Sequence, residues 1–107
     1  MTFGDGETEV RSLDGLGIPG PIGLIKVDVE GAELSVLLGA EALIRTWLPD
    51  IVVEAGTRRD YWRLAEVLTA FGYAQRGRYA ATPTYVFSAT DQVSRTRRIM
   101  AALGAAL

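Results

Sequence analysis

Apolar and charged positions alternate through the segment LIKVDVEG, with Ile25, Val27 and Val29 on one parity and Lys26, Asp28 and Glu30 on the other. Side chains in a strand repeat with period two, so this spacing predicts a strand over Gly23–Val29 with the three charges sharing one face. Beyond Glu30 the period lengthens. Val36, Leu37, Ala40, Leu43, Ile44 and Trp47 fall at helical spacing, which predicts one helix from Ala32 to Trp47, stopped by Pro49. Gly39 inside that helix costs about 1 kcal/mol relative to Ala, and close approach of the helix backbone to a strand is the expected compensation.

A second strand is expected at Ile51–Ala55, with Glu54 near its carboxyl end. Asp60 is the expected N-cap of a second helix reaching Phe71, whose stripe is Tyr61, Leu64, Ala65, Leu68 and Phe71. Gly72 stands where a left-handed cap belongs. Tyr73–Tyr79 and Thr84–Ser88 read as a hairpin across a loop holding Pro83. Asp91 then caps a last helix, with Val93, Met100 and Leu103 expected inward and Arg95, Arg97 and Arg98 mostly outward. Trp47, Trp62, Phe71 and Phe87 fall at core-like positions.

The order strand, helix, strand, helix, strand, strand, helix predicts an α/β layered sheet with a right-handed parallel crossover and a closing antiparallel hairpin. Residues 1–22 form a polar, glycine-rich segment, with a short extended piece around Val10–Leu13 and a boundary at Pro19–Pro21. Residues 23–107 form the α/β part.

A chain of 107 residues suits a single domain. It contains no cysteine and no histidine, which removes disulfides, thiolate chemistry and the usual neutral-pH base. Proton transfer falls to Asp, Glu, Tyr, Lys or water, and a metal site has to be oxygen-rich. No apolar run is long enough to span a bilayer and none resembles a signal peptide, so the expected location is cytoplasmic. Residues 1–60 hold eleven acids against five bases, and residues 61–107 hold two acids against six bases. Nucleic-acid binding calls for a denser basic patch with interleaved aromatics and is not expected. The Arg95–Arg98 cluster reads as a solvated helix face.

Asp28, Glu30 and Glu54 gather near the carboxyl ends of neighbouring strands, where open α/β sheets hold their ligands. Carboxylates there can orient a cofactor, take a proton from a substrate or hold a hard divalent cation. Gly31 supplies a tight turn and lets a ligand approach the backbone. Glu30 has a purely structural alternative as a partner of the helix dipole. Glu54 has one too, as an ion-pair partner of Lys26. The chain lacks GxxxxGK[ST] and lacks GxGxxG between a strand and a helix, so P-loop and dinucleotide sites are not expected.

The run LIKVDVEGAELSVLLGA, followed by Pro49 and IVVE, resembles the FkbM-type family of S-adenosylmethionine-dependent methyltransferases. Asp28, Glu30, Gly31, Glu33, Gly39, Pro49 and Glu54 carry the likeness, and VRSLDGL resembles the segment preceding that strand. The resemblance implies a Rossmann-like class I methyltransferase sheet, acting on a hydroxyl of a sugar or secondary metabolite. Lys26–Glu30 would be its fourth strand, Ile51–Ala55 its fifth and the hairpin its last two. It places Asp28, Glu30 and Gly31 beside the methyl donor and makes Asp28 or Glu54 the candidate base. The glycine-rich turn and acidic strand end that hold the donor in this family are not found, so the expectation is a C-terminal half of the fold. Its first strand would then be an open apolar edge that invites a homodimer. Two rival readings stand beside methyl transfer to a small-molecule hydroxyl acceptor. One is a non-catalytic half-domain that associates with itself or a partner, and the other is a metal-carboxylate hydrolase built on Asp28, Glu30 and Glu54.

Overall fold

The computed structural model describes residues 13–27, 33–79 and 83–106. Strands β1 (Leu24–Val27) and β2 (Asp50–Glu54) run parallel, with Ile25 beside Ile51 and Val27 beside Val53. Strands β3 (Tyr73–Tyr79) and β4 (Thr84–Ala89) form the expected antiparallel hairpin. β4 also pairs antiparallel with β2, so the mixed four-stranded sheet has the order β1-β2-β4-β3. The chain is thus an α/β protein. The expected extended piece at Val10–Leu13 falls almost wholly outside the described residues, as do Asp28, Val29, Glu30, Gly31 and Ala32.

Register puts Ile25, Val27, Ile51, Val53, Tyr85 and Phe87 on one face of the sheet. Leu37, Ile44, Leu64 and Leu68, from the intervening helices, join the strand residues in one buried cluster. Each fully buried Leu or Ile contributes about 1.5–3 kcal/mol relative to its exposed state. The opposite face carries Leu24, Lys26, Val52 and Glu54, all exposed or half-buried. Lys26 lies beside Val52 in the register, and no ion pair joins it to Glu54.

The single helix expected from Ala32 to Trp47 is two: α1 (Glu33–Leu38) and α2 (Glu41–Trp47). Asp14, in a short 3-10 turn, supplies the reason. Its backbone N–H donates to the Gly39 carbonyl, and its carboxylate accepts from the N–H groups of Ala42 and Leu43 at 2.9 and 3.0 Å. Those are donors that a helix start leaves unsatisfied, so a distant carboxylate stabilises a fresh start at Glu41. Gly39 therefore marks the end of α1 and not a mid-helix approach to a strand. Leu48 ends α2 in the left-handed region at φ 52°, and Pro49 is buried behind it.

Helix α3 (Arg58–Ala70) begins two residues before the expected Asp60. Thr57 is its N-cap, and the Thr57 hydroxyl accepts from the Asp60 N–H at 3.1 Å. Leu64, Ala65, Leu68 and Phe71 are buried as the stripe predicts, and Gly72 follows at φ 86°. Trp62 is not core: it is 63% exposed. It precedes Leu64 by two residues, about 200° around the helix, and so lies off the stripe buried in the core.

Helix α4 (Gln92–Ala106) reverses the expected facing. Val93, Met100 and Leu103 are exposed, whereas Arg95 is drawn inward. The Arg95 guanidinium pairs with Asp50 at 3.1 Å and donates to the Gly23 carbonyl at 3.2 Å. Arg98 donates to the carbonyls of Arg45 and, at 3.0 Å, Thr46. These carbonyls belong to the last turn of α2, where orphan acceptors and the negative end of the dipole favour a cation. Polar docking of Arg95 and Arg98 outweighs burial of three apolar side chains. The arginine cluster is therefore divided: Arg97 is exposed, whereas Arg95 and Arg98 are held by partners on the body.

Candidate functional site

The carboxyl ends of β1 and β2 lie at one edge of the sheet, together with the start of β4 and the end of β3. Of the residues expected to carry chemistry, Glu54 is placed there. It is the last residue of β2, half-buried, and stands beside Thr84 in the register. Its carboxylate has no hydrogen-bond or ion-pair partner among the described residues, which leaves its charge available to a cation or a proton. Asp28, Glu30 and Gly31 follow β1 directly in sequence and lie outside the described residues. Among the described residues no group of three or more Asp, Glu, His or Cys is placed to hold a metal ion.

One residue beyond Glu54 the turn 55–57 forms the lip of a cleft of about 620 Å³. Its walls come from α3, through Arg58, Tyr61 and Trp62, and from the hairpin, through Gln75, Arg78 and Tyr85. Tyr85 and Glu54 occupy opposite parities of the paired strands, so the cleft lies on the α3 side of the edge and Glu54 on the other. Glu54 does not line it.

Aromatic packing shapes this cleft. The Tyr61 ring sits edge-on to Trp62 at 5.3 Å and tilted against Tyr85 at 4.5 Å between centroids. The Tyr61 hydroxyl donates to Gln75 Oε1, which fixes the ring between helix and hairpin. The Arg78 guanidinium lies 5.9 Å over the Tyr85 ring, within cation–π range.

A β-bulge makes that arrangement possible. Gln75 pairs with Phe87 and Gly77 pairs with Val86, so Arg76 is an extra residue in β3. Without it Gln75 and Arg78, an odd number of positions apart, would face opposite sides. The bulge resets the parity and brings both to the cleft. Sequence reasoning passed over Arg58, Arg78 and Tyr85, and it placed Tyr61 and Trp62 only as packing residues. One signal was present: Gly77 inside an otherwise regular strand, a usual mark of a bulge.

Tyr73, at the opposite edge, is structural. Burial pushes its phenol well above the usual tyrosine range, opposed by Arg95 and reinforced by Asp50, and its hydroxyl donates to the Pro49 carbonyl at 2.6 Å. No helix among the described residues is long and apolar enough to cross a membrane.

A family model described as the methyltransferase FkbM domain matches residues 2–104. No curated protein and no solved structure matches the chain.

Proposed function

The chain belongs to the FkbM methyltransferase domain family, and from that premise we propose that it serves transfer of a methyl group from S-adenosylmethionine to a hydroxyl of a small-molecule acceptor, a sugar or secondary metabolite. The observation that carries this reading is the carboxyl edge of β1 and β2, where Glu54, without a partner among the described residues, stands on one face and an acceptor-sized cleft opens on the other. The strand order β1-β2-β4-β3, with β4 inserted antiparallel beside β2, supports the finer reading as the second half of a Rossmann-like methyltransferase sheet. A cytoplasmic location goes with this proposal.

The described part of the edge fits a cationic donor. Glu54 offers a carboxylate with no ion-pair partner among the described residues, and Gly56 leaves open space where a side chain would otherwise stand. When bound, S-adenosylmethionine supplies an activated methyl carried on a sulfonium. The chain's own residues then position the acceptor and manage one proton. The Glu54 carboxylate takes the proton of the acceptor hydroxyl as its oxygen gains the methyl group, and Asp28 is the other candidate for that role. In this proposal Asp28 and Glu30 lie beside the methionine end of the donor, and Gly31 is a further donor-binding residue.

Calorimetric titration with S-adenosylhomocysteine tests the donor assignment. Saturable binding in the micromolar range, weakened in Asp28→Asn, is the expected result. Absence of binding by the folded protein would reject the assignment.

One observation favours a second, non-catalytic reading. β1 pairs with β2 alone among the described strands, and Leu24 on it is 60% exposed. Such an edge can accept a strand from a second copy of the chain. Sedimentation showing one monomeric species at every concentration would remove this reading.

A further inference from the structure

We propose that the cleft between α3 and the β3–β4 hairpin is an acceptor subsite for a ring-bearing anion, in which Arg58 and Arg78 hold a carboxylate or phosphate group while the ring lies on the wall of Tyr61, Trp62 and Tyr85. This deepens the methyl-transfer reading and rests on it for the word acceptor. The site itself rests on three observations.

The first is charge. The described lining of the cleft contains two arginines and no acid, in a chain whose formal net charge is −2. Neither guanidinium has an ion-pair partner among the described residues, in contrast to Arg95 and Arg45, which pair with Asp50 and Glu41. A guanidinium presents a planar fork of donors that matches carboxylate and phosphate oxygens two at a time.

The second is the aromatic wall. Trp62 stands 63% exposed beside Tyr61 and Tyr85, and exposing so large an apolar ring on a helix is costly unless something covers it. An aromatic or sugar ring provides that cover by stacking. The volume of about 620 Å³ is sufficient for a ring with its anionic substituent.

The third is the bulge at Arg76. It interrupts the hairpin ladder at the position needed to turn Arg78 over Tyr85 and into the cleft. Bulges that re-aim a side chain in this way concentrate beside ligand sites. The hydroxyl to be methylated then lies toward the 55–57 lip, at the carboxyl end of β2.

The test uses three probes of one shape: para-hydroxybenzoate, para-hydroxyphenyl phosphate and uncharged para-hydroxybenzamide. Each is titrated calorimetrically into the full chain, while NMR follows the Nε–H signals of Arg58 and Arg78. At least one anionic probe is expected to bind saturably and to shift both signals. The amide is expected to bind about tenfold or more weakly, as loss of a charge-assisted hydrogen bond requires. Arg58→Gln and Arg78→Gln should each weaken the anion by a similar factor, whereas Arg97→Gln on exposed α4 should leave it unchanged. Preference between the two anionic probes identifies the group. Equal binding of anion and amide, anion affinity unaltered in both arginine variants, or no saturable binding by a folded protein would overturn the proposal. Failure here with S-adenosylhomocysteine still bound leaves methyl transfer standing. The converse result leaves the anion site standing and removes its role as acceptor subsite.

Discussion

Helix α3 turns Leu64 and Leu68 onto the sheet, whereas α4 turns Val93, Met100 and Leu103 away from the body and docks through Arg95 and Arg98. Both helices have apolar residues at helical spacing, and periodicity alone gives each a face without saying what lies opposite. α3 connects β2 to β3, which flank β4 in one sheet, and must return across its buried face. α4 leaves from β4 and meets the last turn of α2, whose carbonyls need donors more than they need methylene groups. Partner chemistry therefore decides which face docks.

The largest expected effect breaks the symmetry between the two leucines. Leu68→Ala removes a side chain with no exposed surface and should destabilise the fold by about 2–5 kcal/mol. Leu103→Ala removes one that is 48% exposed and should change stability by no more than about 0.5 kcal/mol. Urea denaturation of both variants decides it. Comparable losses would mean that the apolar face of α4 is covered in solution, which would reinstate the facing expected from sequence.

A smaller effect isolates the polar docking. Arg95→Ala loses the pair with Asp50 and the bond to the Gly23 carbonyl, and should cost about 1–2 kcal/mol. Arg97→Ala, on the solvated side, should be nearly neutral. A double-mutant cycle with Asp50→Ala separates the ion pair from the carbonyl contact. Zero coupling between positions 95 and 50 would show that the pair does not hold α4 in place.

The same contrast marks how far the fold could be read from the chain. β1, β2, the hairpin and the buried stripe of α3 were legible because period and turn residues act within a few positions of one another. The break between α1 and α2 was not, since it is set by Asp14, 28 residues upstream of Ala42. The facing of α4 was not, because Arg95 finds Asp50 from 45 residues away. At the candidate site Glu54 was legible as a strand-end carboxylate. The cleft beside it was not: it needs Tyr61 and Trp62 from a helix to meet Tyr85 from a hairpin, and Arg78 reaches them only through a one-residue bulge. Register across strands, the quantity that single-sequence periodicity omits, controls that site.

The smallest effect compares the two helix starts. α3 is capped by the Thr57 hydroxyl, which has no proton to gain, and α4 by the Asp91 carboxylate, which accepts from the Ser94 N–H at 2.9 Å. Hydrogen bonds from the Ser94 hydroxyl and backbone hold the Asp91 carboxyl below its ordinary value of 3.8, with smaller contributions from Arg98 and Arg97. A carboxyl lowered in the folded state contributes stability above its unfolded value and loses it as pH falls through the folded one. Acidification below 3.8 should therefore loosen the first turn of α4, read as loss of helical Cα shifts at Gln92–Arg95, while the first turn of α3 at Arg58–Tyr61 is less affected. Asp91→Asn keeps an acceptor at the cap without a titrating proton, so its α4 shifts should stay flat over the same range. Equal loosening of α4 in Asp91→Asn would assign the acid response to the other end of the helix or to the body it docks on, and the two starts would no longer differ in kind.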